Sequence, residues 1–353
     1  MIKTMKKYNS IKPGQPWYDT EGKRIQAHGG SVLFWEGKFY WYGENKENVT
    51  DEKALWHNGV RLYSSEDLYN WHDEGVICKA VPEERSHPLH PCSKMDRPHM
   101  IYNDKTEQFV LWMKIMGEDG VQYMVVATSK NIKGPFEIIN KKLHPGGMNS
   151  GDFELVKRED GRAVLIFERV HSDMICIELT EDYLDTTVEY SVHFPRKCPP
   201  YVREAPAVFK RGDQYYIFTS GTTAKFPNPS EVATFTDFHG EWAELGDPHI
   251  NDVLHTSFDS QISCVFKYPY AEDLYIAMAD RWLVDLAPDR PDFTEIFARN
   301  FDPERKNEYK KLDTYAYTAK NTSLADYVWL PVKFIEGKPC LTWLDEWKIE
   351  EYI

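Results

Sequence analysis

A small set of polar side chains stands at the edges of short apolar runs. They are His28 in Gln26-Ala-His-Gly-Gly30, Glu44 in Tyr42-Gly-Glu-Asn45, Asp96 in Met95-Asp-Arg-Pro98, Asp152 in Ser150-Gly-Asp-Phe153, Glu204 in Arg203-Glu-Ala-Pro206 and Gln261 in Asp259-Ser-Gln-Ile262; Asp280 and Arg281 precede Trp282 in the same way. Taken singly, each has an ordinary explanation. Asp152 can open a strand with a turn hydrogen bond, Glu204 can pair with Arg203 on a surface, and His28 beside two glycines can be a satisfied structural histidine. The recurrence of carboxylates at comparable places changes the weight of the case. Carboxylates that converge on one cavity repel, which raises the pKa of at least one of them. A carboxylic acid of raised pKa beside aromatic faces is what protonation of a glycosidic oxygen requires.

Converging side chains need elements that bring them to one place. Ser31-Val-Leu-Phe-Trp35, Glu36-Gly37-Lys38 and Phe39-Tyr-Trp-Tyr42 read as strand, tight turn and strand. The unit recurs at Pro98–Met113, Phe153–Phe167, Ala207–Phe218 and Ile262–Met278. A third strand and a further turn follow several of these, as in Arg61–Ser65, Met124–Thr128 and Val232–Phe235. Repeats of ~50 residues with about four strands each are the pattern of propeller blades. The expectation is an all-β chain, a single five-bladed β-propeller over residues 1–353, with a two-sheet sandwich as the alternative. Residues 283–326, rich in Asp, Pro, Arg, Lys and Asn, read as a long surface excursion in the last blade. In a propeller the first strand of each blade lines a central cavity, where the polar residues above would meet.

Composition removes several classes of function. Lys plus Arg is 42 against 56 for Asp plus Glu, a net charge of −14, which argues against a surface that tracks nucleic-acid phosphates. Mean hydropathy is −0.57, and no apolar run approaches the ~18 residues of a membrane span. The six cysteines lie far apart without metal-binding spacing, so they read as reduced thiols of a cytoplasmic protein. The first nine residues carry lysines but no apolar core, unlike a secretory leader. Aromatic residues reach 14%, which suits both a β core and stacking on sugar rings.

The ordered motifs Trp17-Tyr-Asp-Thr-Glu-Gly22, Ile25-Gln-Ala-His-Gly29, Phe39-Tyr-Trp-Tyr-Gly-Glu44, Arg97-Pro98, Arg203-Glu-Ala-Pro206, Pro227-Asn-Pro229, Ser260-Gln261, Asp280-Arg-Trp282 and Tyr327-Val-Trp-Leu-Pro331 resemble glycoside hydrolase family 43. Within that family they resemble the exo-β-1,3-galactanase branch (subfamily 24). The resemblance runs from about Trp17 to Trp347 and implies a five-bladed propeller and an inverting mechanism. By resemblance, Glu204 matches the general acid and Asp152 the aspartate that orients it and tunes its pKa. The first-strand base aspartate is missing, since Ala27-His28-Gly29 stands there. The branch shares this absence, and Gln261 matches its glutamine proposed to act on the water. Asp96 stands where the branch has glutamate. An amide is a poor base, so Gln261 could position water or relay a proton as its imidic tautomer, and Asp96 is the other candidate acceptor.

Glu44 and His28 are candidate substrate contacts. Tyr42, Trp112 and Trp282 are candidate stacking faces, although each also fits an inter-blade core. Asn228, Asp280 and Arg281 complete the candidate binding set through their motifs. Two residues before Pro-Asn-Pro the branch has a tryptophan, whereas this chain has Lys225 followed by Phe226. No cofactor is expected. The resemblance leaves room for a calcium ion on the axis, with His28 as a contact, and the expected partner is an oligosaccharide rather than nucleic acid or membrane. The competing readings are a family 43 β-xylosidase, α-L-arabinofuranosidase or galactofuranosidase, and a non-catalytic sugar-binding propeller. Retention of both Asp152 and Glu204 argues against the last.

Overall fold

A computed structural model describes residues 7–308 and 321–353. Residues 1–6 of the lysine-bearing N-terminal stretch, and residues 309–320 of the expected excursion, lie outside the described residues. The chain is a succession of strands, antiparallel within the first five sheets. β1 (His28–Trp35), β2 (Lys38–Glu44), β3 (Val60–Ser65) and β4 (His72–Cys78) form the first sheet. The second is β5 (Lys94–Asn103), β6 (Gln108–Met116), β7 (Gln122–Ser129) and β8 (Glu137–Leu143). The third is β9 (Ser150–Lys157), β10 (Ala163–Arg169), β11 (Asp173–Leu179) and β12 (Thr186–His193). The fourth is β13 (Arg203–Arg211), β14 (Gln214–Gly221), β15 (Glu231–Phe235) and β16 (Ala243–Gly246). After β17 (His249–Ile250), the fifth sheet is β18 (Gln261–Lys267), β19 (Tyr275–Arg281) and β20 (Asp326–Pro331). β21 (Lys333–Ile335) and β22 (Lys338–Thr342) join β17 in a sixth.

The expected five blades are therefore corrected to six: four of four strands and two of three among the described residues. The sixth sheet pairs β17 with β22 in parallel, His249 opposite Leu341. A parallel pair closes between segments far apart in sequence, so a local strand–turn repeat cannot display it. This small sheet lies at the wall between the fourth and fifth, where Phe334 and Leu341 pack with Phe209, Tyr216 and Tyr275.

Local chemistry sets the hairpins. β1 and β2 are joined by Glu36-Gly37 with φ of 48° and 81°. A two-residue turn matched to the strand twist needs both central residues in that left-handed region. Around the axis β1, β5, β9, β13 and β18 pack side by side in that order, and β18 returns against β1. The N-terminal segment helps to close the ring: Ile11 and Trp347 exchange both backbone hydrogen bonds, at 2.9 and 3.0 Å.

The aromatic residues fill the spaces between sheets. Trp41, Trp71, Trp329 and Trp347 are buried in one cluster joining the first and fifth sheets, with Trp17 against them. Trp41 meets Trp329 edge-on at 4.8 Å between centroids, a geometry favoured by ring quadrupoles. The expected excursion carries a short helix, α1 (Phe293–Phe301), capped by the Asp292 side chain accepting the Glu295 N–H. Its Phe293 ring stacks on Phe226 at 4.2 Å. No helix among the described residues is long and apolar enough to cross a membrane.

Candidate active site

The inner strands share a device that turns polar side chains toward the axis. β1, β5 and β13 each shift register just after the candidate residue, between His28 and Ser31, Asp96 and His99, and Glu204 and Ala207. The residue following each candidate has positive φ: Gly29 (58°), Arg97 (53°) and Ala205 (51°). A bulge of this kind bends the strand and re-aims a side chain. Glu44, Asp96, Asp152, Glu204, Gln261 and Trp282 line one cavity of about 540 Å³.

Asp152 and Lys114 are the central pair. Lys114 Nζ donates to Asp152 Oδ1 at 2.8 Å and lies 3.2 Å from Asp96 Oδ2. Arg97 Nε lies 3.1 Å from Asp152 Oδ2. Burial alone would push the Asp152 carboxyl up, but Lys114 and Arg97 outweigh it and hold it below the usual aspartate range. Asp96 is likewise buried yet held low, by Lys114, Lys225 and Lys46, and Trp56 Nε1 donates to its Oδ1 at 2.8 Å. Glu204 shifts the opposite way. Burial, then the charges of Asp152 and Glu168, push it well above the usual glutamate range. Two neighbouring carboxyls with opposed ionisation are the pattern of an acid beside a charged stabiliser.

Gln261 is fixed by chemistry at both ends. Arg97 donates to Oε1 at 2.6 Å and Trp282 Nε1 at 3.3 Å. Nε2 donates to Glu204 Oε1 at 2.9 Å and to Ser220 Oγ at 3.2 Å. Arginine has no acceptor, so the amide oxygen must face it. Glu44 lies deeper, with Lys46 Nζ at 2.8 Å and the Arg97 N–H donating at 3.1 Å. Burial nevertheless raises its pKa.

The remaining candidates fall outside the cavity lining. His28 is fully buried and its Nδ1 bonds Asp280 Oδ1 at 2.9 Å, while Nε2 meets the Tyr327 hydroxyl at 3.2 Å. Asp280 Oδ2 also accepts the Gly29 N–H at 2.9 Å. Burial pushes the His28 pKa down, so the pair pins the bulge of β1. Both His28 nitrogens are thus engaged with protein. Among the described residues no group of three or more His, Cys, Asp or Glu is arranged to hold a metal ion. Tyr42 and Trp112 are core rings: the Tyr42 hydroxyl accepts the Met100 N–H at 2.8 Å, and Trp112 donates to the Tyr183 carbonyl at 2.9 Å. Asn228 ties its own loop to Gly221 and Thr223. Arg281 donates to the Phe258 carbonyl at 2.8 Å.

Lys225, the departure noted in the sequence, lies between two indoles. Its ammonium is 4.4 Å from the Trp56 ring centre and 4.6 Å from that of Trp282, and 2.9 Å from Glu52 Oε1. Cation–π attraction and the ion pair hold it there. Sequence reasoning missed Trp56, Lys114, Glu168 and the α1 rings Phe297 and Phe301, all of which line the cavity. Lys114 and Glu168 carried a usable signal, since Lys114 is a charge inside an apolar run, Val110–Met116, and Glu168 directly follows another, Val164–Phe167.

The family model for glycosyl hydrolases family 43 matches residues 24–257. Among solved structures, a family 43 β-1,3-galactosidase superposes with a TM-score of 0.80 at 30% identity, covering 98% of this chain and 64% of that one. A second family 43 β-1,3-galactosidase, solved with galactodeoxynojirimycin, gives 0.78 at 28% identity, covering 96% of this chain and 100% of that one. An exo-β-1,3-galactanase from Clostridium thermocellum gives 0.74 at 27%, covering 96% and 66%. The chain thus spans just under two thirds of the first of these and the whole of the second. No curated protein matches.

Proposed function

The chain belongs to glycosyl hydrolase family 43 and is a glycosidase, and from that membership we propose that it removes β-1,3-linked galactose from the ends of oligosaccharides with inversion. Glu204 is the general acid in this reading. The observation that carries it is the opposed ionisation of two carboxyls in one cavity: Glu204 pushed well above its usual range, Asp152 held below it by Lys114 and Arg97. Glu204 gives its proton to the glycosidic oxygen as the bond to the anomeric carbon breaks. Water attacks the opposite face and releases a proton to a group across the cavity.

Every hydrogen-bonding position of Gln261 is already used within the protein. Its part is to hold Glu204 and to be held by Arg97. Asp96, ionised and lining the cavity, is the group assigned to the water. The choice of sugar is supported by the galactosidase and galactanase neighbours at 27–30% identity.

The test is hydrolysis of β-1,3-galactobiose followed by proton NMR. α-Galactose should appear first, ahead of mutarotation. Glu204→Gln should lower kcat by about 10²–10⁴-fold. First release of the β-anomer, or cleavage of xylosides or arabinofuranosides with galactobiose inert, would overturn the proposal.

A further inference from the structure

Glu168 is the next-to-last residue of β10 and is 3% exposed. It faces the same cavity as Glu204 and Asp152, yet no motif points to it. Its Oε1 accepts the His171 N–H at 2.8 Å. Among the described residues nothing donates to its Oε2, and no cation pairs with its carboxyl. A buried carboxyl with so few partners costs free energy, and such a group in a folded protein calls for an explanation.

Two features of the fold hold it in this position. The pairing of β9 with β10 shifts register between Phe167 and Arg169, so the bulge lies on β9 and Glu168 faces both Gly151 and Asp152 across it. Opposite stands Gly151, next to Asp152: a Cβ added at Gly151 would come within 2.1 Å of Glu168 Oε2 and 3.0 Å of its Cδ. The carboxyl therefore rests over bare backbone that only glycine leaves open. Burial, together with the charge of Asp152, pushes its pKa up to about 7, so it can donate as well as accept.

We propose that Glu168 is a substrate-binding residue whose free carboxyl oxygen takes one hydroxyl of the sugar lying between Glu204 and Asp152. The inference rests on the glycosidase reading above and adds a contact to it. A sugar hydroxyl both donates and accepts, which suits a carboxyl that lacks a protein partner on one oxygen. His171, whose backbone orients Glu168, also lines the cavity.

The experiment is a calorimetric titration of galactose and of its 2-, 3-, 4- and 6-deoxy derivatives into wild type, Glu168→Ala and Gly151→Ala, with xylose and arabinose as further probes on wild type. Glu168→Ala should weaken galactose binding about 10- to 100-fold. One deoxy sugar should lose affinity for wild type and lose no more for Glu168→Ala, because its missing hydroxyl is the one Glu168 takes. Gly151→Ala keeps the carboxyl but displaces it, and should weaken the same contact. Unchanged galactose binding in a folded Glu168→Ala protein overturns the inference, as does an equal further loss for all four deoxy sugars. If wild type binds xylose or arabinose and not galactose, the galactose reading fails, and Glu168 is judged by the fold-loss of that sugar in Glu168→Ala. Failure of wild type to bind any of the three overturns both.

Discussion

Replacing Asp152 by asparagine keeps the shape of the side chain and removes its charge. In the folded protein that charge faces two cations, Lys114 Nζ at 2.8 Å and Arg97 Nε at 3.1 Å. An asparagine can satisfy one of them with its oxygen, but its amide N–H then points at the other. Breaking one side of a buried ion pair typically costs about 3–5 kcal/mol. Lys114 keeps Asp96 at 3.2 Å, so the lower end, about 3 kcal/mol, is expected from urea unfolding at pH 7. The sign of the pH dependence follows. Asp152 is held below its unfolded value of 3.8, so its contribution is fully present above that pH and is lost as pH falls through the folded pKa. The gap between wild type and Asp152→Asn should therefore close in acid. The catalytic effect runs through Glu204. Asp152 is among the groups that raise the Glu204 pKa, while Lys114 and Arg97 lower it. Without the aspartate charge the two cations are opposed only by burial and by Glu168, so Glu204 gives up its proton at lower pH. The alkaline limb of kcat/KM should move to lower pH, and activity at pH 7 should fall about 10²-fold, the low end for acid–base catalysis, since Glu204 itself remains. An alkaline limb that stays in place or moves upward would refute the reasoning, as would unchanged unfolding at neutral pH.

Three further outcomes can be checked. Lys225→Met should cost about 3 kcal/mol in urea unfolding, because it leaves Glu52 with its ammonium partner gone; it should also raise the pKa of Asp96, which Lys225 helps to hold down, visible as a displaced acid limb of kcat/KM. Glu168→Gln should flatten the pH dependence of stability. The folded pKa of about 7 lies above the unfolded 4.5, so the group stabilises most below pH 4.5 and that contribution is lost as pH rises through 7, on the order of 3 kcal/mol in all. Unfolding midpoints at pH 5 and pH 8 read it directly. Asp280→Asn should destabilise by about 1–3 kcal/mol, because Asp280 accepts from both Gly29 N–H and His28, and thermal unfolding followed by tryptophan fluorescence measures it.

The residues that sequence alone could place were those with a polar side chain at the mouth of an apolar strand. Asp96, Asp152, Glu204 and Gln261 all reach the cavity, because each begins or nearly begins an inner strand and bulges turn Asp96, Asp152 and Glu204 inward. The aromatic candidates separated for a physical reason. On β6, Leu111 and Met113 face one core cluster while Val110 and Trp112 face another. When both faces of a strand are buried, alternation of polar and apolar residues disappears, so Trp112 could not be assigned to core or cavity from its neighbours. Trp282 lies just past the end of β19 and does line the cavity. The cations gave a weaker signal: Lys114 is a charge inside the apolar run of β6, opposite Asp96 in the β5–β6 hairpin, and its second aspartate, Asp152 on β9, reaches it only when neighbouring sheets pack together. The blade count failed for the same reason at the level of the fold, since the parallel contact of His249 with Leu341 is made by closure and not by any local repeat. The acidic chemistry was therefore visible residue by residue, whereas the charges that tune it belong to the assembled ring. Substitution of Lys114 or Arg97 is accordingly the more demanding test of the mechanism, because neither can be justified from the sequence motifs that single out Glu204.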